Sequence, residues 1–133
     1  MRIAILGVGL IGGSIGRAAR SLIDDAGVEA ALAKLRAEGL PERVVIDASH
    51  DNSGKDPARQ IVAAGEIGEQ IAAGNEAIVG IMLESFIVEG SQSSDGDREL
   101  TYGQSITDAC IAWEDTISVL GGLAEAVRAR RAR

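Results

Sequence analysis

The sequence predicts an α/β protein in which parallel strands alternate with helices. Three observations predict it. Short apolar runs recur at 3–6, 44–46 and 78–83, and they are continuous rather than alternating, the pattern of strands covered on both faces. Between them lie stretches with helical apolar spacing, closed by Gly or Pro. The interval from Val44 to Ile78 holds one such stretch and fits one right-handed β-α-β unit.

Each element has a local reason. Ile3-Ala4-Ile5-Leu6 is a strand that stops at Gly7, and residues 11–22 offer a first helix. Asp24 or Asp25 caps a second helix, in which Val28, Ala31, Leu32 and Leu35 fall at i, i+3, i+4 and i+7. Gly39 ends that helix and Pro41 forbids its continuation. Val44-Val45-Ile46-Asp47 is the next strand. Asp56-Pro57 is a cap followed by proline at the first helical position. The helix it opens puts Ile61, Ala64, Gly68 and Ile71 on one face and ends at Gly74. Ile78 to Leu83 is the third strand. Residues 85–104, rich in Ser, Gly, Asp and Glu, read as a long loop. A last helix is expected from near Thr107 into the arginine-rich end, with Gly121-Gly122 as a weak point costing about 1 kcal/mol per glycine.

Composition narrows the possibilities. A chain of 133 residues allows one small domain, and a complete (β/α)₈ barrel needs about 200 residues or more. With seventeen glycines and only Phe86, Tyr102 and Trp113 as aromatics, the core must be Ala, Ile, Val and Leu. A net charge of −7 argues against nucleic-acid and anionic-membrane partners. The basic run Arg128–Arg133 reads as a solvated tail. One cysteine forms no internal disulfide, which points to a cytoplasmic protein. No apolar run reaches the roughly 18 residues of a membrane span, and glycines interrupt the apolar start too often for a signal peptide. A few parallel strands with unpaired edges predict a homo-oligomer or looser self-association.

Two motif sets carry chemistry. The first is Gly7-Val8-Gly9-Leu10-Ile11-Gly12-Gly13-Ser14, between a strand and a helix. Gly7, Gly9 and Gly12 allow a tight turn and a pyrophosphate close to backbone N–H groups. Residues 2–14 resemble the opening of prephenate and arogenate dehydrogenases, a likeness that covers about the first 20 residues and implies an NAD(P)-dependent oxidoreductase. The acid that receives the ribose hydroxyls belongs about 20 residues further on. Leu32 stands there, and the next strand-end acid is Asp47. NAD(P) is therefore not expected to bind tighter than roughly millimolar, and a glycine-rich turn that binds nothing is the favoured reading.

The second set is longer. It comprises the stretch from Val44 through Asp47, Ser49-His50-Asp51-Asn52-Ser53 and Lys55 to Asp56, then Gly80-Ile81-Met82-Leu83-Glu84-Ser85 and Glu89-Gly90-Ser91-Gln92-Ser93. Tyr102-Gly103-Gln104-Ser105-Ile106-Thr107-Asp108-Ala109-Cys110-Ile111-Ala112-Trp113-Glu114 completes it. In order and spacing these resemble the C-terminal part of class I 3-deoxy-D-arabino-heptulosonate-7-phosphate (DAHP) synthases, from about residue 25 to the end. The resemblance implies the last part of a (β/α)₈ barrel over 23–133, preceded by a Rossmann-like βα unit over 1–22. It implies the condensation of phosphoenolpyruvate with D-erythrose 4-phosphate at a divalent metal of the Mn, Fe, Co or Zn class. It also makes His50, Glu84 and Asp108 metal ligands, with His50 the catalytic residue.

The residues agree with that chemistry. His50 and Glu84 follow the C-terminal ends of two strands, and Asp108 is expected to open the final helix. One imidazole and two carboxylates suit a divalent cation. Taken singly they would pass as a hydrogen-bonded histidine, a solvated loop acid and a helix cap. Lys55 could touch a phosphate or be a surface lysine, and the surface is favoured. Cys110 reads as a packed thiol, because the family's ligand cysteine lies on an early strand. Arg17 or Arg20 stands near the place of a phosphate-binding arginine, without a match close enough to assign it. Few cations lie near His50 to anchor two phosphates. The chain is thus expected to be incomplete or chimeric, to hold an ion and to be inactive alone. The rival readings are a dehydrogenase-like fragment and a non-catalytic, self-associating α/β module.

Overall fold

The structure, a computed structural model, describes residues 4–6 and 23–133. The glycine-rich turn of Gly7, Gly9 and Gly12, the 11–22 helix, Arg17 and Arg20 all lie outside the described residues. Strands β1 (Ala4–Leu6), β2 (Val44–Asp47) and β3 (Ile78–Met82) form a parallel sheet in the order β1-β2-β3. Ala4 pairs with Val44 and Leu6 with Ile46, while Asp47 lies beside Met82. The strands therefore end together, and the loops that follow β2 and β3 share one edge of the sheet.

Helices α1 (Asp25–Ala37) and α2 (Pro57–Ala72) begin where their caps predict. The Asp24 carboxylate accepts from the Gly27 N–H, and the Asp56 carboxylate from Ala58 N–H. Beyond α1, Gly39 takes φ +64°, the left-handed conformation that ends the helix. Val28 and Leu32 of α1, Ala63, Ile67 and Ile71 of α2, Val44, Ile46 and Ala48 of the β2 region, and Ile78 form the core. It is aliphatic, as the composition requires.

The buried face of α2 differs from the expected one. Ala64, Gly68 and Ile71 are buried, but so are Gln60, Ala63 and Ile67, whereas Ile61 is 37% exposed. The cause is that α2 is covered twice, by the sheet and by the last helix, α3 (Trp113–Arg131). Gly68 is the point of approach, since a Cβ there would lie 3.7 Å from Leu123 Cδ2 and 3.9 Å from the Ala126 Cβ.

The chain beyond β3 departs most from expectation. Within the expected loop, β4 (Val88–Ser91) pairs in parallel with β5 (Gln104–Ser105). Single bridges join Ser85 to Ile111 and Gly90 to Cys110. Residues 104–105, 110 and 111 are thus held in strand pairings, so α3 begins at Trp113 and not near Thr107, and Asp108 precedes it instead of opening it. Helix α3 runs unbroken through Gly121-Gly122. Its arginine-rich end is not a solvated tail. Arg130 Nη1 donates to the Asn75 carbonyl at 2.8 Å and to that of Ile78 at 3.4 Å, and Arg133 donates to the Ala73 carbonyl. These guanidinium groups satisfy carbonyls at the end of α2 and the start of β3.

One expectation for the sheet is incomplete. On β3 Val79 is 41% and Met82 36% exposed, so described residues do not cover both faces of that strand. Among the described residues no helix is long and apolar enough to cross a membrane.

Candidate metal centre

The site lies at the edge where β2 and β3 end. Asp47 is the last residue of β2 and His50 follows three residues later. The chain then winds tightly. Asn52 Nδ2 donates to the Asp47 carbonyl at 2.6 Å, Ser53 Oγ donates to the Ser49 carbonyl, and Lys55 N–H returns to the His50 carbonyl at 2.9 Å. These bonds span five residues or fewer, and they fix the turn that aims the imidazole.

Asp47 orients His50. Its carboxylate is buried and accepts from Ser49 N–H at 2.8 Å through Oδ1, and Oδ2 lies 2.7 Å from His50 Nδ1. A carboxylate only accepts, so Nδ1 carries the hydrogen, and in the neutral ring Nε2, on the side of Glu84 and Asp108, keeps its lone pair. The hydrogen bond that His50 donates to Asp47 holds the His50 pKa above the ordinary imidazole value; burial opposes it, and the negative charges of Asp47, Glu84 and Asp108 add to it. In the sequence Asp47 stands out as the next strand-end acid after the position expected for a ribose acceptor, with no signal that it meets His50. Both of its carboxylate oxygens are engaged in the His50 turn.

Glu84 is held through its backbone. Its N–H donates to Oε1 of Gln60, a fully buried α2 side chain, at 3.0 Å, and its carbonyl accepts from Ile111 N–H at 3.0 Å. Its carboxylate Oε1 lies 3.4 Å from His50 Nε2. Asp108 arrives from the loop between β5 and α3, and its Oδ2 lies 3.9 Å from the same Nε2. The three residues each offer a ligand atom, all within 4.8 Å of one another.

Lys55 stands in this cluster too. Its Nζ is 3.1 Å from Asp108 Oδ2 while its side chain is 54% exposed, so it is a surface lysine that is ion-paired to the cluster. Cys110 Sγ points at the Asp108 carbonyl at 3.6 Å, and burial pushes the thiol pKa up.

The cluster fits a divalent cation. Donors at about 2.0–2.2 Å from a common ion lie roughly 3.0–4.4 Å apart. The 3.4 and 3.9 Å separations fall in that range, and one imidazole with two carboxylates is a hard-to-borderline donor set. The Asp47 bond on Nδ1 matches the way ligating histidines are oriented.

Comparisons with known proteins converge. Residues 8–121 match the model of the DAHP synthetase I family, a match that begins inside the glycine-rich turn. The Phe-sensitive phospho-2-dehydro-3-deoxyheptonate aldolase of Escherichia coli K12 is 52% identical over 97 residues, covering 73% of this chain and 28% of that protein. The phospho-2-dehydro-3-deoxyheptonate aldolase of Corynebacterium glutamicum is 52% identical over 116 residues, 82% of this chain and 31% of the relative. The structure of the enzyme of that name from Francisella tularensis SCHU S4 superposes with a TM-score of 0.77 at 42% identity, over 81% of this chain and 31% of the other. This chain therefore spans about three-tenths of the length of these relatives. On the extent of the family match and on half-identity to several relatives, the chain belongs to the DAHP synthetase I family.

Proposed function

We propose that this chain is the metal-bearing C-terminal portion of a DAHP synthase, and that His50, Glu84 and Asp108 bind its divalent cation. The whole activity would be the condensation of phosphoenolpyruvate with D-erythrose 4-phosphate and water to give the heptulosonate phosphate and inorganic phosphate, in the cytoplasm. The observation that carries this reading is the convergence of three ligand atoms within 4.8 Å at the strand ends, in a chain of this family. A cation bound there would act as a Lewis acid on the aldehyde of erythrose 4-phosphate.

The protein's own groups have definable tasks. Asp47 holds the imidazole with Nε2 on the side of Glu84 and Asp108, which supply two negative charges against a dication. Gln60 and Ile111 fix the Glu84 backbone, so that its carboxylate does not wander with a flexible loop. Among the described residues, Arg130 and Arg133 are committed to backbone carbonyls at the end of α2 and at β3, away from phosphate anchoring. The isolated chain is expected to hold an ion and not to turn over.

The finer architecture belongs to the same reading. Three parallel strands ending at one edge, with α1 and α2 against them and α3 packed on α2, correspond to the last part of a (β/α)₈ barrel. Strand β1 enters as the first strand of that sheet, because it pairs in parallel with β2. Self-association through uncovered strand surface such as Val79 and Met82 goes with it, and sedimentation at 13.7 kDa as a clean monomer would remove that part.

The test is titration with Mn²⁺ by calorimetry for wild type, His50→Ala and Glu84→Ala, then an assay for phosphate release. Loss of binding by about 100-fold or more in both variants is expected, since even residues behind the ligands cost 10–100-fold. Equal binding by all three proteins would remove the ligand assignment. Phosphate release that depends on erythrose 4-phosphate would show the isolated chain to be active.

A further inference from the structure

We propose that Lys55 is a built-in placeholder cation of this site, holding Asp108 in position before a metal ion arrives and competing with that ion for the same oxygen. Three observations carry it. Lys55 Nζ lies 3.1 Å from Asp108 Oδ2, and that oxygen is the one facing His50 Nε2 at 3.9 Å. An ion at the centre of the cluster and the ammonium group therefore claim one carboxylate oxygen. The second observation is backbone conformation. Among the described residues Lys55 is the only non-glycine with positive φ, at 62°. A side chain with a Cβ adopts that region at a cost, and such strain gathers where a group must be aimed. The Lys55 N–H bond to the His50 carbonyl holds the strained residue in the same turn that carries the imidazole.

The third observation is connectivity. The contact joins residues 53 positions apart, linking the loop after β2 to the loop before α3. Without an ion, Glu84 and Asp108 are like charges sharing one imidazole, and their repulsion favours opening of the exposed Asp108 loop. A lysine on Asp108 cancels one of those charges. Once a dication binds, the ammonium is both redundant and repelled, and it must leave Oδ2. Lys55 is thus a positioning residue that lowers metal affinity while it keeps the empty site closed.

The inference rests on the metal-centre reading, so its test carries a control for that reading. Mn²⁺ binding is measured calorimetrically for wild type, Lys55→Met, Lys55→Arg and His50→Ala, at low salt and at about 1 M NaCl, with melting curves for each. Lys55→Met is expected to bind Mn²⁺ about three- to tenfold more tightly than wild type at low salt, the scale of one lost exposed ion pair plus relief of repulsion. Lys55→Arg keeps the charge and should stay within about twofold of wild type. The advantage of Lys55→Met should shrink at high salt, where exposed charges are screened. A lysine that only shaped the turn would give the opposite sign, with Lys55→Met binding more weakly. Unchanged or weaker binding in Lys55→Met overturns the proposal while His50→Ala still loses affinity. If His50→Ala binds as wild type does, the metal-centre reading itself has failed.

Discussion

The loop after β2 closes on itself, whereas the loop between β5 and α3 is held from outside. In the first, the bonds that shape the turn around His50 are short in sequence. Asp47 binds Ser49 and His50, Asn52 and Ser53 bind back to Asp47 and Ser49, and Lys55 returns to His50. In the second, Asp108 is placed by pairings that reach far along the chain, Gly90 with Cys110, Ser85 with Ile111, and β4 with β5. Lys55 is the direct tie between the two loops. The difference teaches that His50 is preorganised by its own segment, while the position of Asp108 depends on the folding of a distant one. Local bonds survive partial unfolding elsewhere; long-range pairings do not.

Breaking the first loop should give the largest effect. Asp47→Asn keeps the shape but removes the charge on Nδ1, and lets the amide donate where the carboxylate only accepted. Mn²⁺ affinity should fall by about 10–100-fold, the usual cost of losing the orienting partner of a ligating histidine. Calorimetry on wild type and variant checks this, and affinity within twofold would show that Asp47 does not orient the ligand.

Titration of the same histidine gives the next effect. Its pKa in the folded protein is raised, first by the Asp47 hydrogen bond. Metal binding needs the neutral imidazole, so affinity should climb with pH until that raised pKa is passed, by about tenfold per unit below it. The stability of the metal-free protein runs the other way. A raised folded pKa contributes stability that is fully present below the unfolded value and is lost as pH rises through the folded one. Melting curves across this window, with and without Mn²⁺, should show opposite slopes. In Asp47→Asn both transitions should move to lower pH.

The smallest effect on the metal should come from disturbing the second loop alone. Gly103 has φ +79°, and a Cβ there would meet Ile87 Cβ at 2.8 Å. Gly103→Ala should therefore strain the β4–β5 pairing by roughly 1–3 kcal/mol. The His50 imidazole should keep its raised pKa by NMR, because its bonds are local. Adding Asp108→Ala should then cost less affinity than it does in wild type, since Asp108 would already be misplaced. Full additivity of the two changes would show that Asp108 does not depend on the β4–β5 pairing.

Legibility in the sequence followed the same division. Strands β1, β2 and β3 stood out as apolar runs, and α1 and α2 as apolar periods with Asp caps and Gly or Pro ends. His50, Glu84 and Asp108 stood out in the sequence through the motifs that carry them, and the structure brings their ligand atoms within 4.8 Å of one another. The Asp47–His50 pair left a trace, an acid three positions before the histidine, but only the turn shows that the two side chains meet.

The sequence by itself determined the elements whose signals lie within a few residues, because caps, breakers and periodicity act over one helical turn or one strand. It determined also which donor types were available to a cation. Only the tertiary structure decided that Gln104–Ser105 is a strand, that α3 waits until Trp113, that α2 is buried on two sides, and that Arg130 docks on Asn75 and Ile78. A two-residue strand has no period to read, and an ion pair 53 residues apart has no local signature. Those features exist because strand ends, helix layers and loops arrive at one edge together, and their partners are set by that arrival.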